Sequence, residues 1–299
     1  RYFKASRADH GTKIDVIERN RHKYSVSAMC GVLQIARSTF YYDIEIAAQK
    51  EQEKDEEEQK LKEEIQLIFN KNRQVYGTRK IKDALFKAGH TVSRRRIGRM
   101  MGELGIQSKY AHASYKPMKS QPNEECVRNV LDREFEVDEE MSVLVSDLTY
   151  VKVGKHWNYV CFLIDLYNRE IVGYSAGERK DAALVQRAFA SVKSPLGSVK
   201  IFHTDRGSEF KNVGIDELLS EYKIKRSLSD KGNPYDNAVA EATFKILKTE
   251  LINGTHFHTL EQLVLELFDY VNWYNNIRSH STLDYLSPVA YRNLALKKT

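Results

Sequence analysis

Asp147 and Asp205 each follow a run of β-branched or bulky apolar residues, in MSVLVSD and SVKIFHTD, which places a carboxylate at the end of a buried strand. If the two strands are neighbours, both side chains face one edge of the same sheet. Glu241 lies beyond Asp205 with 35 residues between them, in a segment of helical spacing where Asn237, Glu241, Phe244 and Lys248 share one side. Glu241 can therefore point at the sheet edge, with Lys248 two turns beyond it. Three converging carboxylates repel one another and lose hydration unless hard cations join them, and an all-oxygen set suits Mg²⁺ or Mn²⁺ rather than zinc. Two such ions, roughly 3.5 to 4 Å apart, would activate a nucleophile on one side of a phosphodiester and steady the leaving oxygen on the other. Spacing alone does not single out this set, because the chain has forty-one acidic residues.

Several neighbours admit two readings. His203 falls two residues before Asp205, on the same side of the strand, where it could approach the metals or the scissile phosphate, or simply pack. Asp165, after CFLI, imitates the other aspartates, but its place ahead of a turn suits a supporting or turn-capping role. Arg206, in the loop with Gly207 and Ser208, could meet phosphate or an internal carboxylate. The KGNPYDN segment offers Lys231, Asn233 and Tyr235 to hold the scissile strand, with Pro234 near the first helical position. Lys245 and Lys248 are DNA-contact candidates on the Glu241 helix. Trp157, Trp273 and Tyr274 could stack on bases, but aromatics at such places read better as core, Trp273 above all. Arg278 and His280 either order the C-terminal tail or meet DNA.

The elements that position these residues follow from the periodicity. Residues 14 to 42 read as a small tri-helical unit, with Ser27 before one helix and Ser38 near the start of another. Leu33, Ile35, Phe40 and Tyr41 supply its core, and Arg37 and Ser38 open a candidate recognition helix, although any helical bundle shows this pattern. Residues 49 to 64 are charged and almost devoid of apolar side chains, which makes them a solvated linker or an exposed helix. Further helices follow in YGTRKIKDALFKAG and TVSRRRIGRMMGELG, and Arg94, Arg95, Arg96 and Arg99 crowd the first half of the last one. Positive charge fits poorly at a helix N-terminus unless phosphates neutralise it, so these arginines, with Arg79 and Lys80, are DNA-binding candidates. From Met141, three hairpin-connected strands, a helix capped by Asp181, a fourth strand, a helix and a fifth strand imply a mixed α/β sandwich on one sheet. The division is residues 1 to 47, a charged linker 48 to 60, a basic helical domain 61 to 110, a linker 111 to 140, a catalytic core 141 to 255, and a C-terminal helix and tail 256 to 299.

A formal charge of +6 is modest, but residues 71 to 116 hold twelve basic and two acidic side chains, which suggests a polyanionic partner. Three scattered cysteines show no metal or disulfide spacing, and a reducing compartment is expected. No run approaches a membrane span, and the first residues lack a signal-peptide core. The absence of an initiator Met suggests a fragment, or a product joined to something upstream.

The set Asp147, Asp205 and Glu241, with HTDRGSEF, SDKGNPYDNAVAEATFKILKTE and WYNNIRSHSTLDYLSP, closely resembles the retroviral-integrase-like catalytic core of bacterial insertion-sequence transposases. More narrowly, it resembles the downstream (OrfB-type) product of the large group whose two reading frames are joined by frameshifting. VYGTRKIKDALFKAGHTVSRRRIGRMMGELG resembles the helix-turn-helix-like segment ahead of that core, so the likeness spans roughly residues 60 to 295. It implies a ribonuclease-H-like fold with a mixed five-stranded sheet, and Asp147, Asp205 and Glu241 as catalytic ligands of two Mg²⁺ or Mn²⁺ ions. It also implies cleavage at terminal inverted repeats to expose 3′ hydroxyls that attack DNA directly, through a copy-out, paste-in route with a branched intermediate and an excised circle. The implied partners are the element's ends, target DNA and at least one further copy of the chain, with possible dependence on the upstream-frame product, in the bacterial cytoplasm at the nucleoid. A nuclease of the same fold and a non-catalytic DNA-binding regulator are the competing readings.

Overall fold

Val143, Leu144, Val145 and Ser146 are buried on both faces of the first strand, and from Thr149 to Val153 buried residues alternate with the exposed Tyr150 and Lys152, so the strand continues past Asp147 rather than stopping there. In the computed structural model, which describes residues 9–111, 137–229 and 237–296, strand β1 is Val143–Val153. Asp147 is therefore mid-strand, not at a strand end as expected, because the hairpin partner β2 (His156–Asp165) pairs with β1 along its whole length. Strand β3 (Ile171–Gly177) continues the antiparallel meander. On the other side β4 (Ile201–Thr204) and β5 (Lys225–Leu228) run parallel to β1, giving the order β3-β2-β1-β4-β5. This is a ribonuclease-H-like mixed sheet.

The chain divides into two compact units, residues 1–67 and 68–299. In the first, helices α1 (His10–Asn20), α2 (Val26–Leu33) and the start of α3 (Arg37–Lys71) bury Ile17, Met29, Cys30, Leu33, Ile35 and Phe40 together. Two expectations are corrected here. The residue ahead of α2 is Ser25, not Ser27, and Tyr41 is 51% exposed because it falls off the buried stripe occupied by Phe40. The charged stretch is helical throughout, as part of the 35-residue α3, and side-chain pairs such as Gln52–Glu56 and Gln59–Glu63 at i,i+4 line it.

The second unit begins with a helix pair, α4 (Thr78–Lys87) and α5 (Arg94–Glu103), packed through Ile81, Leu85, Ile97 and Met100. Ser93 caps α5 by accepting the Arg96 N–H at 3.2 Å. In the sheet domain α6 (Ala182–Ala190) and α7 (Val213–Glu221) cover one face, burying Leu144, Cys161, Leu163, Phe189 and Phe202. Asp181 caps α6 as expected, accepting the Leu184 N–H at 3.0 Å. Helices α8 (Ala238–Leu247), α9 (Leu260–Asn276) and α10 (Pro288–Leu296) complete the unit. Among the described residues no helix is long and apolar enough to cross a membrane.

Candidate active site

Two strands and one helix position the carboxylates. The parallel register pairs Val145 with His203, so Asp147 and Asp205, each two residues further on, leave the two strands at the same level. Helix α8 is tied to this place at two points. The Asn237 side-chain amide donates to the Ser146 carbonyl at 3.0 Å, and Phe244 stacks on Phe162, 5.0 Å between centroids at 13°. Phe162 is the cross-strand partner of Asp147, so one helical turn before Phe244 the exposed Glu241 is brought toward that aspartate. Burial of the phenylalanine pair fixes the position of the carboxylate.

The electrostatics follow from this placement. Burial raises the Asp147 pKa to about 8, with repulsion from Asp205 and Glu241 adding to it, against the Leu148 N–H and Lys180, which lower it. The Leu148 N–H reaches Asp147 Oδ1 at 2.7 Å. Asp205 is raised by burial and by Glu209, although the Gly207 N–H, 2.9 Å from Oδ1, opposes this. Glu241 is raised by burial and by Asp205. The three are thus electrostatic neighbours. Among the described residues no three His, Cys, Asp or Glu side chains form a closed ion-holding cluster. An all-carboxylate set strained by mutual repulsion fits a hard divalent cation.

The other expected residues take varied positions. His203 is fully buried, and its ring nitrogens meet Ser227 Oγ at 2.8 Å and Ser229 Oγ at 3.1 Å on the β5 side. Arg206 donates through Nε to the Ser229 carbonyl at 2.9 Å. Asp165 caps its turn, accepting the Tyr167 N–H at 3.0 Å and the Met141 N–H at 2.9 Å. Lys245 is exposed, and Lys248 Nζ lies 4.7 Å from the centre of the Tyr150 ring. Lys231, Asn233 and Tyr235 lie outside the described residues.

On the helical segments Arg37, Ser38, Arg79, Arg94, Arg95 and Arg99 are exposed and Arg96 half-buried, with Arg99 paired to Glu103 at 2.6 Å. Lys80 departs from the expected DNA face. It packs its ammonium 5.0 Å over the Tyr76 ring, and burial, then Arg278, lowers its pKa to about 8. Trp157, expected in the core, is 56% exposed because it sits on a hairpin that extends past the sheet, whereas Trp273 and Tyr274 are buried as expected.

Sequence reasoning missed Lys180, Glu209 and Glu250. Lys180 Nζ pairs with the buried Glu209 at 2.9 Å and acts on both Asp205 and Asp147. A Cβ on Gly207 would come within 2.4 Å of Glu209 Oε1, so any larger residue there would have to move the Glu209 carboxylate that pairs with Lys180. The only sequence signal was a second acid four residues after Asp205; Lys180 gave none. Glu250, 1% exposed, accepts from Arg278, Tyr110 and Tyr270 and settles Arg278 as an internal partner that orders the tail.

Comparison with known proteins follows the same division of the chain. Integrase core domain models match residues 138–234 and 241–296, and an HTH-like domain matches residues 56–114. The transposase for insertion sequence element IS904 of Lactococcus lactis subsp. lactis (strain IL1403) is 33% identical over 231 residues, 76% of this chain and 91% of that protein. The putative transposase InsK for insertion sequence element IS150 of Escherichia coli (strain K12) is 29% identical over 280 residues, 93% of this chain and 97% of that protein. Among solved structures, the HTLV-2 integrase catalytic core domain aligns over 51% of this chain and 96% of its own at 18% identity, with a TM-score of 0.40. With an integrase core, an HTH-like domain and relatives matched over nearly their whole length, the chain belongs to the IS3-type insertion-sequence transposases, which are metal-dependent DNA transposases.

Proposed function

We propose that Asp147, Asp205 and Glu241 are the catalytic ligands of two divalent ions, Mg²⁺ or Mn²⁺, and that the chain cuts and joins DNA at the terminal inverted repeats of its own element. The observation that carries this reading is the placement of the three carboxylates at one end of the β1–β4 pair, where Asp147 and Asp205 lie at one level and where burial first, then repulsion from Asp205 and Glu241, raises the Asp147 pKa to about 8. When bound, the ions would activate the attacking oxygen and stabilise the leaving one. Hydrolysis at each element end frees a 3′ hydroxyl. That hydroxyl then attacks a second phosphodiester, one P–O bond forming as another breaks and a 3′ hydroxyl leaving. Lys180, close enough to lower both aspartates, offsets part of the negative charge before the ions arrive.

The exposed Arg94 and Arg95 at the start of α5, with Arg79, Arg96 and Arg99, support recognition of duplex ends by the basic helical domain of residues 61 to 110. Arg37 and Ser38 offer a second contact, Lys245 and Lys248 flank the carboxylates, and Lys231, Asn233 and Tyr235 would hold the scissile strand. Two ends must be held together, which calls for at least a dimer; cooperation with the upstream-frame product belongs to the same reading.

Labelled element ends incubated with the protein and Mg²⁺ provide the test. The wild type should yield 3′-hydroxyl ends and joined products, while Asp205→Asn should lose both and keep DNA binding. Hydrolysis without joining would replace the transposase reading with a nuclease, and an active Asp205→Asn protein would remove the triad assignment.

A further inference from the structure

The tip of the β1–β2 hairpin plays no part in the carboxylate chemistry. Pairing of β1 with β4 stops at Val145, and pairing of β2 with β3 stops at Tyr159. Residues 150 to 158 therefore continue as a two-stranded ribbon that buries Val151, Val153 and Asn158 on one face and leaves Tyr150, Lys152 and Trp157 exposed on the other. Its turn, Gly154-Lys155, has glycine at φ +55°, the first central position that a type II′ hairpin reserves for glycine. The tip is also pinned: the Gly154 N–H donates to the Phe257 carbonyl at 2.8 Å. Rigid presentation is unusual for a surface that does nothing.

The ribbon displays two large aromatic rings to solvent. Tyr150 is 43% and Trp157 56% exposed, and they meet edge to face at 5.1 Å. Lys152 is the cross-strand partner of Trp157, Lys155 and His156 are exposed beside it, and no acidic residue occurs from Leu148 to Val160. Exposed rings on a purely basic, rigid ribbon match a nucleic-acid strand, with aromatic faces for bases and ammonium groups for phosphates.

Its place relative to the carboxylates narrows the occupant. Tyr150 follows Asp147 by three residues, about 10 Å along the strand. Strand parity puts the two on opposite faces of β1, but Lys248, which shares a helix side with Glu241, lies 4.7 Å over the Tyr150 ring. The ring is therefore reached from the carboxylate side, across the stretch of β1 between its last pair with β4 at Val145 and its bridge to Phe257 at Val153. At about 3.4 Å per nucleotide, that distance corresponds to about three nucleotides.

We infer that the Trp157 ring, held edge to face by Tyr150, is a stacking platform for an unpaired base about three nucleotides from the scissile phosphate of the element end, with Lys152, Lys155 and Lys248 near the adjoining phosphates. This inference rests on the proposed active site. The test uses the full chain, Mg²⁺ and the ends of its own element, with each of the six nucleotides flanking the scissile phosphate replaced in turn by an abasic site. Trp157→Ala should slow cleavage about tenfold, and Trp157→Phe should restore most of it. One abasic position should slow the wild type by a similar factor and leave Trp157→Ala no slower than before.

Wild-type rates for Trp157→Ala, or abasic effects that multiply with it at every position, would overturn the platform. So would a change in oligomeric state on light scattering without coupling to any base, which would mean that a second copy covers the patch. A wild type that cuts no end would instead remove the active-site reading. Equilibrium binding of the same abasic series needs no chemistry and reads the platform independently.

Discussion

Replacement of Glu250 by Gln removes the negative charge from a closed network. The carboxylate lies in the π-helical turn Lys248–Ile252 that follows α8 and accepts Arg278 Nε at 2.9 Å on each oxygen, Nη2 at 2.9 Å, the Tyr110 hydroxyl at 2.6 Å and the Tyr270 hydroxyl at 3.0 Å. Burial alone would lower the pKa of Arg278, 5% exposed, but Glu250 outweighs it and holds the pKa above its ordinary value. An amide has one oxygen to accept with and turns two donors toward a guanidinium that cannot lose its proton. Loss of one partner from a buried pair costs about 3–5 kcal/mol. For a unit spanning residues 68–299, each kcal/mol is worth about 2–4 °C, so the melting temperature should fall by about 6–20 °C.

The double variant Glu250→Leu with Arg278→Met separates an uncompensated charge from lost packing. Removal of both charges leaves the Tyr110 and Tyr270 hydroxyls without their acceptor, a cost of about 1–3 kcal/mol if the exposed Tyr110 turns to water. The double variant should therefore be more stable than Glu250→Gln in calorimetry or urea titration. A fall of less than about 3 °C for Glu250→Gln, or a double variant no better than the single, would refute the argument.

Two further outcomes follow from buried groups. Burial, then Arg278 and Lys80, depress the His280 pKa to about 2, so the unfolded chain takes up a proton near pH 6.5 that the folded chain refuses. Stability should fall as pH drops below about 6.5, by up to about 1.4 kcal/mol per pH unit from this group. Urea midpoints at several pH values should show a shallower acid limb for His280→Phe, and parallel limbs would exclude His280 as the source. Asp165→Asn keeps one acceptor for two backbone donors, Met141 and Tyr167, and should cost about 1–3 kcal/mol while the folded enzyme still cuts DNA. An unchanged urea midpoint, or a folded variant that no longer cuts, would show that the turn is not what Asp165 serves.

What was legible in the sequence was what short-range chemistry dictates. Apolar alternation announced the five strands; periodicity allowed Asp147, Asp205 and Glu241 to meet but did not single them out among forty-one acidic residues, and the resemblance to the transposase core supplied that choice. Asp147 was placed at a strand end because a charge inside an apolar run looks like a terminus. It is tolerated in mid-strand because, among the described residues, no strand lies beside β1 on its β4 side between Val145, its last pair with β4, and Val153, which bridges to Phe257. Trp157 was misplaced for a related reason: composition cannot tell a strand inside a sheet from a ribbon that outruns it. Lys80 was read as part of a basic surface because charge counts carry no direction, and its ammonium turns inward over Tyr76. Lys180 and Glu250 were invisible, and Glu209 showed only as a second acid near Asp205, because their partners are distant in sequence, Tyr110 and Glu250 being 140 residues apart.

These long-range partners converge on one helical segment. From Asn237 to Glu250 it is fixed to β1 by Asn237, to β2 by Phe244, to the hairpin by Lys248 over Tyr150, and through Glu250 to Tyr110 of the basic helical region. Glu241, exposed and without such an anchor of its own, inherits its position from these four. The π-helical turn at Lys248–Ile252 matters here because an i→i+5 turn re-phases the side chains after it, which allows Glu250 to point into the buried network while Lys248 still faces the hairpin. A shift of the segment at either end is therefore carried to the Glu241 carboxylate, whose place beside Asp147 is set jointly by the contacts at Asn237, Phe244, Lys248 and Glu250.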